Sequence, residues 1–261
     1  KNGWFGVKKM KQKKIKKTKI ALKKSRNKRT VLVTGGAGFI GSHLAKRLLE
    51  DGCRVIIIDN LNDYYSPELK KDRLKHLLTG HNYTFYKTDI CDLPSLRGIF
   101  KKHKIDIVCH LAAQAGVRHS LINPWIYGLT NVQGTINLID LAKEAKVEKF
   151  IFASSSSVYG EKAKVPFRES YKTDSPSSLY AATKIANESI AHAYHYLHGL
   201  KIVGLRFFSV YGPWGRPDMA YYKFANLITQ GKPIDIYNFG KMRRDFTYID
   251  DIAEGIAAAI E

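Results

Sequence analysis

The most informative segment of this chain reads Thr30-Val-Leu-Val-Thr34-Gly-Gly36-Ala-Gly38-Phe-Ile-Gly41. An apolar run leads into a turn rich in glycine, and the amphipathic residues 42–50 follow, so the pattern predicts a strand, a tight turn and a helix. Glycine suits such a turn because the backbone doubles back and can approach a phosphate group without an intervening side chain. The glycines at 36, 38 and 41 fit the G-x-G-x-x-G fingerprint of dinucleotide-binding proteins, and a variant of it starts at Gly35.

An acidic residue at the expected distance strengthens this interpretation. Residues 54–58 form a second apolar run with branched side chains, and Asp59 follows it, 21 residues after Gly38. Dinucleotide-binding proteins place a carboxylate there to hold the adenosine ribose hydroxyls, which favours NAD over its 2′-phosphorylated relative. A glycine-rich loop without a ligand is the alternative, but strand, turn, helix, strand and acid occur here in the expected order.

Strands and helices alternate along the chain, which predicts an α/β fold with a Rossmann-type doubly wound parallel sheet. Further strands are predicted at 83–87, 105–111, 149–153, 200–207 and 234–237, and helices at 68–78, 93–103, 124–146, 177–197, 221–230 and 250–260. We divide the chain into a basic tail at 1–29, an NAD-binding Rossmann domain at 30–207 and a smaller substrate-binding region at 208–261. We expect that last region to be truncated, because no helix-ending signal precedes Glu261.

The charge of the chain is concentrated at one end. The net charge is +20 over 261 residues, and residues 1–29 carry 14 Lys or Arg and no acidic residue. Such a tail is typical of a disordered leader or linker, and contact with nucleic acid, a ribosome or an anionic membrane is the alternative. No apolar run reaches the ~20 residues of a membrane span. Three cysteines without metal-ligand spacing predict no metal site and indicate reduced thiols in the cytoplasm.

A candidate acid–base pair lies in the predicted helix 177–197. Tyr180 and Lys184 are spaced i, i+4, which places phenol and ammonium on one helix face. A nearby cation stabilises a phenolate and lowers the pKa of the phenol, so this pair predicts a general base. The serine-rich run 153–160 leaves the carboxyl end of a predicted strand, where a hydroxyl can relay a proton.

Together these motifs resemble the extended short-chain dehydrogenase/reductase superfamily and its nucleotide-sugar epimerases. The likeness covers residues 30–261 and rests on the glycine turn, Asp59, Asp89-Ile90, His110-Leu-Ala-Ala-Gln114, the serine run and Tyr180-x-x-x-Lys184. The runs 110–120, 153–160 and 206–220 are most similar to the UDP-glucuronate 4-epimerase group. The resemblance implies NAD-dependent epimerisation at C4 of a UDP-sugar through a 4-keto intermediate. UDP-glucuronate is the expected substrate, and UDP-glucose, UDP-N-acetylglucosamine or a catalytically silent NAD-binding role are the alternatives.

The resemblance also implies roles for individual residues. Cofactor binding is expected of Gly35, Gly36, Gly38, Phe39, Ile40, Gly41, Asp59, Asn60, Asp89, Ile90, Ala112, Ala113, Gln114, Asn131, Tyr180, Lys184 and Phe208. The expected catalytic residues are Ser155, Tyr180 and Lys184. The expected substrate contacts are Ser155, Ser156, Ser209, Arg216, Arg244 and Arg118, of which Arg216 and Ser209 are candidates for gripping a sugar carboxylate.

The serine run also separates this chain from sister enzymes. Related dehydratases carry an Asp-Glu pair, and related decarboxylases carry a Glu, where Ser156 and Ser157 stand here. Epimerisation needs no carboxylate at these positions, so it is the expected reaction. The family commonly forms homodimers through two long helices per subunit, here 124–146 and 177–197. No nucleic-acid partner is expected apart from the basic tail.

Overall fold

The computed structural model describes residues 29–261, so the predicted tail lies outside the described residues except for Arg29. Six parallel strands form one sheet in the order β3-β2-β1-β4-β5-β6. The strands are β1 Thr30–Thr34, β2 Arg54–Asp59, β3 Thr84–Lys87, β4 Ile107–His110, β5 Lys149–Ser155 and β6 Ile202–Phe207. Thr34 in β1 pairs with Ile58 in β2 and with His110 in β4, so these strands end at one edge. The Rossmann-type fold prediction is confirmed.

Helices cover both faces of this sheet. They are α1 Phe39–Glu50, α2 Pro67–Asp72, α3 Leu93–Lys102, α4 His119–Ile122, α5 Pro124–Tyr127, α6 Gly134–Glu144, α7 Leu179–His198, α8 Ala220–Thr229 and α9 Ile249–Ile260. On one face, Leu32 of β1 packs in a core with residues of α3 and α6. On the other, Val31 and Val33 pack with residues of α1 and α9. The helix α9 therefore belongs to the core of the main sheet, although it lies in the 208–261 region.

Two predicted helices contain π-helical turns. Residues Arg73–Leu77 continue α2 as a π-helix, and Gly128–Gln133 join α5 to α6 in the same way. A π turn adds a residue to the helical repeat and often lies at a functional site. The sequence pattern predicted continuous helices at both places and did not reveal these π-helical turns.

A small second sheet lies beyond the main one. Its two parallel strands are β7 Ser209–Tyr211 and β8 Phe246–Tyr248. The strand predicted at 234–237 is wrong, because a 3₁₀ turn at Tyr237–Gly240 stands at its end. Ile236 and Tyr237 are exposed, and within the described residues no strand pairs with this segment. Across residues 29–261, no helix is both long enough and apolar enough to cross a membrane.

Candidate active site

A cleft of about 260 Å³ opens at the carboxyl end of the main sheet. The strand order reverses between β1 and β4, which is where open parallel sheets bind ligands. Most of the predicted site residues line this cleft: Gly35, Gly38, Phe39, Ile40, Gly41, Asp59, Asn60, Asp89, Ile90, Ala112, Ala113, Gln114, Ser155, Tyr180, Lys184, Phe208 and Arg216.

At Gly35 and Gly41 the glycine turn leaves no room for a Cβ atom. Gly35 has φ +68°, and an added Cβ would lie 2.7 Å from the Ala112 nitrogen. A Cβ on Gly41 would overlap the Gly35 carbonyl oxygen and lie 2.8 Å from the Gly36 Cα. These neighbours are backbone atoms that cannot rotate away. The turn therefore keeps the start of α1 against β1, where the first backbone N–H groups of the helix can meet an anion.

Asp59 supports the turn from the end of β2. Its carboxylate accepts hydrogen bonds from the Ala37 nitrogen at 3.1 Å and from the Leu61 nitrogen at 2.9 Å. Farther along the cleft, Asn60 Nδ2 donates to Asp89 Oδ2 at 2.8 Å. The carboxylate of Asp59 thus positions the glycine backbone as well as lining the cleft, a role that residue spacing alone does not reveal.

The candidate catalytic side chains come from β5 and α7. Ser178 caps α7, its Oγ accepting from the Ala181 nitrogen at 3.1 Å, so Tyr180 lies in the first turn of this helix. Lys184 lies one turn later, and its Nζ donates to the Ala153 carbonyl oxygen at 2.7 Å. Ser155 is the last residue of β5. Packing α7 against β5 therefore brings all three side chains to one end of the cleft.

Burial and neighbouring groups act in opposite directions on the pKa of Tyr180. Burial raises the pKa of Tyr180, while the hydrogen bond with Ser155 and the charge of Arg216 act to lower it. Burial also lowers the pKa of Lys184 to about 8. The Lys184 ammonium donates to the Ala153 carbonyl and lies 5.8 Å from the centre of the tyrosine ring, so the effect of Lys184 on the pKa of Tyr180 stays a prediction. Arg216 is a further cation near this phenol, and its charge lowers the pKa of Tyr180.

Arg216 reaches the cleft from the loop that follows β7. Its guanidinium donates to both carboxylate oxygens of Asp218, at 3.0 Å and 2.5 Å. The Tyr64 hydroxyl donates to Asp218 Oδ2 at 3.3 Å. Burial alone lowers the pKa of Arg216, but the hydrogen bonds and charge of Asp218 outweigh it and raise that pKa. The guanidinium is thus charged, oriented and close to Tyr180.

Some predicted site residues lie outside the cleft. Gly36, Asn131, Ser156, Ser209, Arg244 and Arg118 do not line it. Asn131 is buried beneath it, where its side chain pairs with the Gln114 backbone nitrogen and oxygen at 2.8 and 3.0 Å. Arg118 lies 4.2 Å from the centre of the Tyr237 ring, and exposed Arg244 donates to the Arg243 carbonyl. Ser209 pairs with Phe246 in the small sheet.

The cleft also contains residues that sequence reasoning missed. They are Asn62, Tyr64, Tyr65, Lys70, Thr88, Thr130, Ser154 and Met219, with several apolar neighbours. Lys70 is only 5% exposed, and its Nζ donates to the Asn62 carbonyl at 2.7 Å. Burial lowers the pKa of Lys70. The adjacent tyrosines Tyr64 and Tyr65, in the loop before α2, could have indicated a binding site from the sequence alone. Lys70 could not, because a lysine is ordinary in a basic amphipathic segment.

Comparison with known proteins gives a matching family model and similar relatives. A family model described as "NAD dependent epimerase/dehydratase family" matches residues 31–261. UDP-glucuronate 4-epimerase 4 of Arabidopsis thaliana is 51% identical over 236 residues, which cover 89% of this chain and 54% of the plant protein. The chain therefore spans about half the length of that relative.

Solved structures are similar as well. UDP-glucuronic acid 4-epimerase from Bacillus cereus, in complex with UDP-glucuronic acid and NAD, has a TM-score of 0.82 and 39% identity, covering 89% of this chain and 73% of that chain. UDP-glucose 4-epimerase from Thermotoga maritima, with UDP-glucose, has a TM-score of 0.81 and 34% identity, with coverage of 89% and 73%. Enzymes for acidic and for neutral sugars thus share this architecture.

Proposed function

The chain belongs to the NAD dependent epimerase/dehydratase family and is an NAD-dependent nucleotide-sugar 4-epimerase, and we propose that its substrate is UDP-glucuronate, converted to UDP-galacturonate. The observation that carries this proposal is the position of Arg216, which lines the same cleft as Ser155 and Tyr180. A guanidinium offers two parallel N–H groups that match a carboxylate, and UDP-glucuronate carries its carboxylate next to the reacting part of the sugar.

In this structure the carboxylate of Asp218 accepts hydrogen bonds from the two N–H groups that form the fork of the Arg216 guanidinium. A substrate carboxylate must therefore share that fork or take the place of Asp218. Tyr64 already donates to Asp218, so the displaced carboxylate would keep one hydrogen-bond partner. We expect this exchange to orient the sugar ring, because the new ion pair forms at the end of the cleft that holds Tyr180.

The residues around the glycine turn suit NAD. The side-chain-free surface at Gly35, Gly38 and Gly41 and the start of α1 fit a pyrophosphate, and Asp59 is the group for the adenosine ribose hydroxyls. When bound, NAD supplies a reversible oxidant for C4 of the sugar. Tyr180 then takes the proton of the C4 hydroxyl and later returns it, and Ser155, hydrogen-bonded to Tyr180, is placed to relay it.

The composition of the 3₁₀ turn after β5 supports epimerisation over elimination or decarboxylation. Ser156 and Ser157 follow Ser155 directly, so this turn carries no carboxylate to act as a second acid or base. A 4-keto uronate is a β-keto acid that can lose CO₂ when the breaking bond aligns with the carbonyl π system. A carboxylate held by the fork of Arg216 would keep that bond out of alignment.

A neutral UDP-sugar is the second candidate. Asp218 already neutralises Arg216, so a sugar with a hydroxymethyl group in place of the carboxylate would meet no unpaired charge from Arg216 in this cleft. Under this alternative, Arg216 acts only on Tyr180, and its replacement affects acidic and neutral sugars alike.

The deciding experiment follows the anomeric protons of UDP-glucuronate by NMR, using the purified chain without added NAD. We expect a UDP-galacturonate signal that grows to a stable mixture and shows that the oxidant is retained. The variant Arg216→Ala should raise the KM for UDP-glucuronate by about tenfold or more. The matched control Arg97→Ala, which removes an exposed ion pair with Glu144, should behave as the parent does. Conversion of UDP-glucose or UDP-N-acetylglucosamine but not UDP-glucuronate would overturn the substrate assignment.

The remaining proposals concern assembly and location. We propose a homodimer through the long helical segments, since Trp125 and Leu129 of the first are 81% and 60% exposed and Tyr196 of the second is 80% exposed. Light scattering should give a dimer for the parent and a monomer for Trp125→Glu, and a monomeric parent would contradict the proposal. The cysteine spacing supports a cytoplasmic location.

A further inference from the structure

Arg73 is a completely buried arginine in the π-helical turn that continues α2. Its guanidinium donates to the carbonyl oxygens of Trp214 at 2.9 Å, Gly215 at 3.1 Å and Ala37 at 3.3 Å. It also donates to the Tyr65 hydroxyl at 2.6 Å. All four acceptors among the described residues are uncharged oxygen atoms, so this contact is not an ion pair.

These acceptors come from separate parts of the chain. Ala37 lies in the glycine turn, and Tyr65 lies in the loop before α2. Trp214 and Gly215 immediately precede Arg216 in the loop 212–219 between β7 and α8, which we call the substrate loop. Because burying a guanidinium is costly unless its N–H groups are satisfied, and because arginine has several in a rigid fork, one side chain here holds three segments in a fixed relation.

The substrate loop needs such support. Trp214 has φ +62°, a left-handed conformation that is uncommon for a bulky residue and persists only where the surroundings fix it. Its indole stacks on His76, with ring centres 5.8 Å apart and planes at 16°. His76 and Arg73 belong to the same π-helical turn. This turn therefore holds Trp214 by its ring and by its carbonyl at once.

We propose that Arg73 is a positioning residue that fixes residues 214–215 against the glycine turn and thereby directs Arg216 into the cleft. Arg73 does not line the cleft itself. Arg73 acts on catalysis through Arg216, because its hydrogen bonds join the glycine turn to the substrate loop. The kinetic part of the test rests on the proposed substrate, whereas the spectroscopic part does not.

The first measurement uses the fluorescence of Trp214 in a chain that carries Trp4→Phe and Trp125→Phe, so that Trp214 is the remaining tryptophan. In Arg73→Met, Trp214 should leave His76, and its emission should shift to longer wavelength with faster quenching by acrylamide. Arg73→Lys should show a smaller change, because an ammonium keeps some donors without the fork. The control Lys75→Met alters an exposed side chain of the same turn and should leave the spectrum unchanged. Identical spectra for Arg73→Met, Arg73→Lys and the parent would overturn the proposal, whatever the substrate is.

The second measurement asks whether Arg73 acts through Arg216. Arg73→Lys should raise the KM for UDP-glucuronate by about tenfold with a smaller change in kcat. In an Arg216→Ala background the same change should add little, because the residue that Arg73 positions is already absent. If the rise in KM of the double variant equals the product of the rises in the two single variants, Arg73 and Arg216 act independently and the proposal is overturned. If the parent does not convert UDP-glucuronate, the proposed function fails while the fluorescence result still decides the role of Arg73.

Discussion

The ionisation of Tyr180 reflects opposing influences. Burial raises its pKa, and the Ser155 hydroxyl and the Arg216 guanidinium lower it. A phenol that must act as a base near neutral pH depends on groups that stabilise the phenolate. Beside the proton relay that we propose for it, Ser155 lowers the pKa of Tyr180 through its hydrogen bond.

This balance predicts the pH dependence of Ser155→Ala. Removing the hydroxyl removes a stabiliser of the phenolate, so the pKa of Tyr180 rises and the acidic limb of the kcat/KM profile moves to higher pH. Activity at neutral pH should also fall by about a hundredfold or more, because the relay is lost. Steady-state kinetics from pH 6 to pH 10 measure both effects. Ser175→Ala, in an exposed loop, is the control, and an acidic limb that does not move would contradict this account.

Lys184 makes the stability of the fold depend on pH. Burial lowers its pKa from 10.5 to about 8, so in the range between these values the unfolded chain binds more protons than the folded chain. The free energy of unfolding must then rise with pH across that range, and the penalty for burying the charged ammonium is present in full below pH 8.

The comparison with Lys184→Met isolates this effect. The free energy of unfolding of the parent, minus that of the variant, should increase by about 2 kcal/mol between pH 7.5 and pH 10. Urea unfolding of both chains at these pH values, without added NAD, measures it. A difference that stays constant or decreases would show that the ammonium is not desolvated in the folded chain.

The junction of β1 and α1 shows how a local motif depends on close packing. A Cβ on Gly41 would overlap the Gly35 carbonyl, and these backbone atoms can separate only if the turn opens. Gly98 in the exposed part of α3 has no atom within 4 Å of the corresponding position. The same chemical change therefore has opposite consequences in the two helices.

We predict that Gly41→Ala loses retained NAD and melts at a lower temperature. Gly98→Ala should keep NAD and gain about 0.5–1 kcal/mol of stability, since alanine has the better helix propensity. Cofactor released by denaturation and thermal melting curves provide the two measurements. Retention of NAD by Gly41→Ala at the parent level would show that the turn tolerates a side chain.

At the level of the complete fold, the last helix closes the nucleotide-binding layers. Ile256 and Ile260 of α9 are fully buried among residues of β1 and α1, although the small sheet β7–β8 intervenes in the chain. The 208–261 region therefore contributes a structural helix as well as the loop that carries Arg216.

Ile256→Ala tests this arrangement. Truncating a completely buried isoleucine should cost about 2–5 kcal/mol and lower the midpoint of a single cooperative transition. Ala258→Ser, on the exposed side of α9, should change stability by less than about 0.5 kcal/mol. Denaturant unfolding followed by circular dichroism compares them. A separate early transition in Ile256→Ala would show instead that α9 unfolds independently of the sheet.

The regular features of this protein could be read from local patterns. The glycine turn, Asp59 and the Tyr180–Lys184 pair each have a spacing imposed by backbone geometry, so they predicted the sheet, the cleft and the family. Arg244 was expected in the site because of the resemblance to nucleotide-sugar epimerases, and Arg118 was expected there as a candidate for holding a sugar carboxylate. The structure turns Arg118 to Tyr237 and leaves Arg244 exposed, since side-chain direction depends on packing that sequence spacing does not encode.

The sequence by itself determined the α/β order, the dinucleotide turn and the chemical groups available at the carboxyl ends of β1, β4 and β5. These follow from short-range rules of turn geometry and hydrophobic period. Only the tertiary structure decided that the charge of Arg216 acts on the pKa of Tyr180, and that Arg73 binds the loop before Arg216. Electrostatic and hydrogen-bond partners are chosen by distance in space, and more than 140 residues separate Arg73 from the loop that it holds.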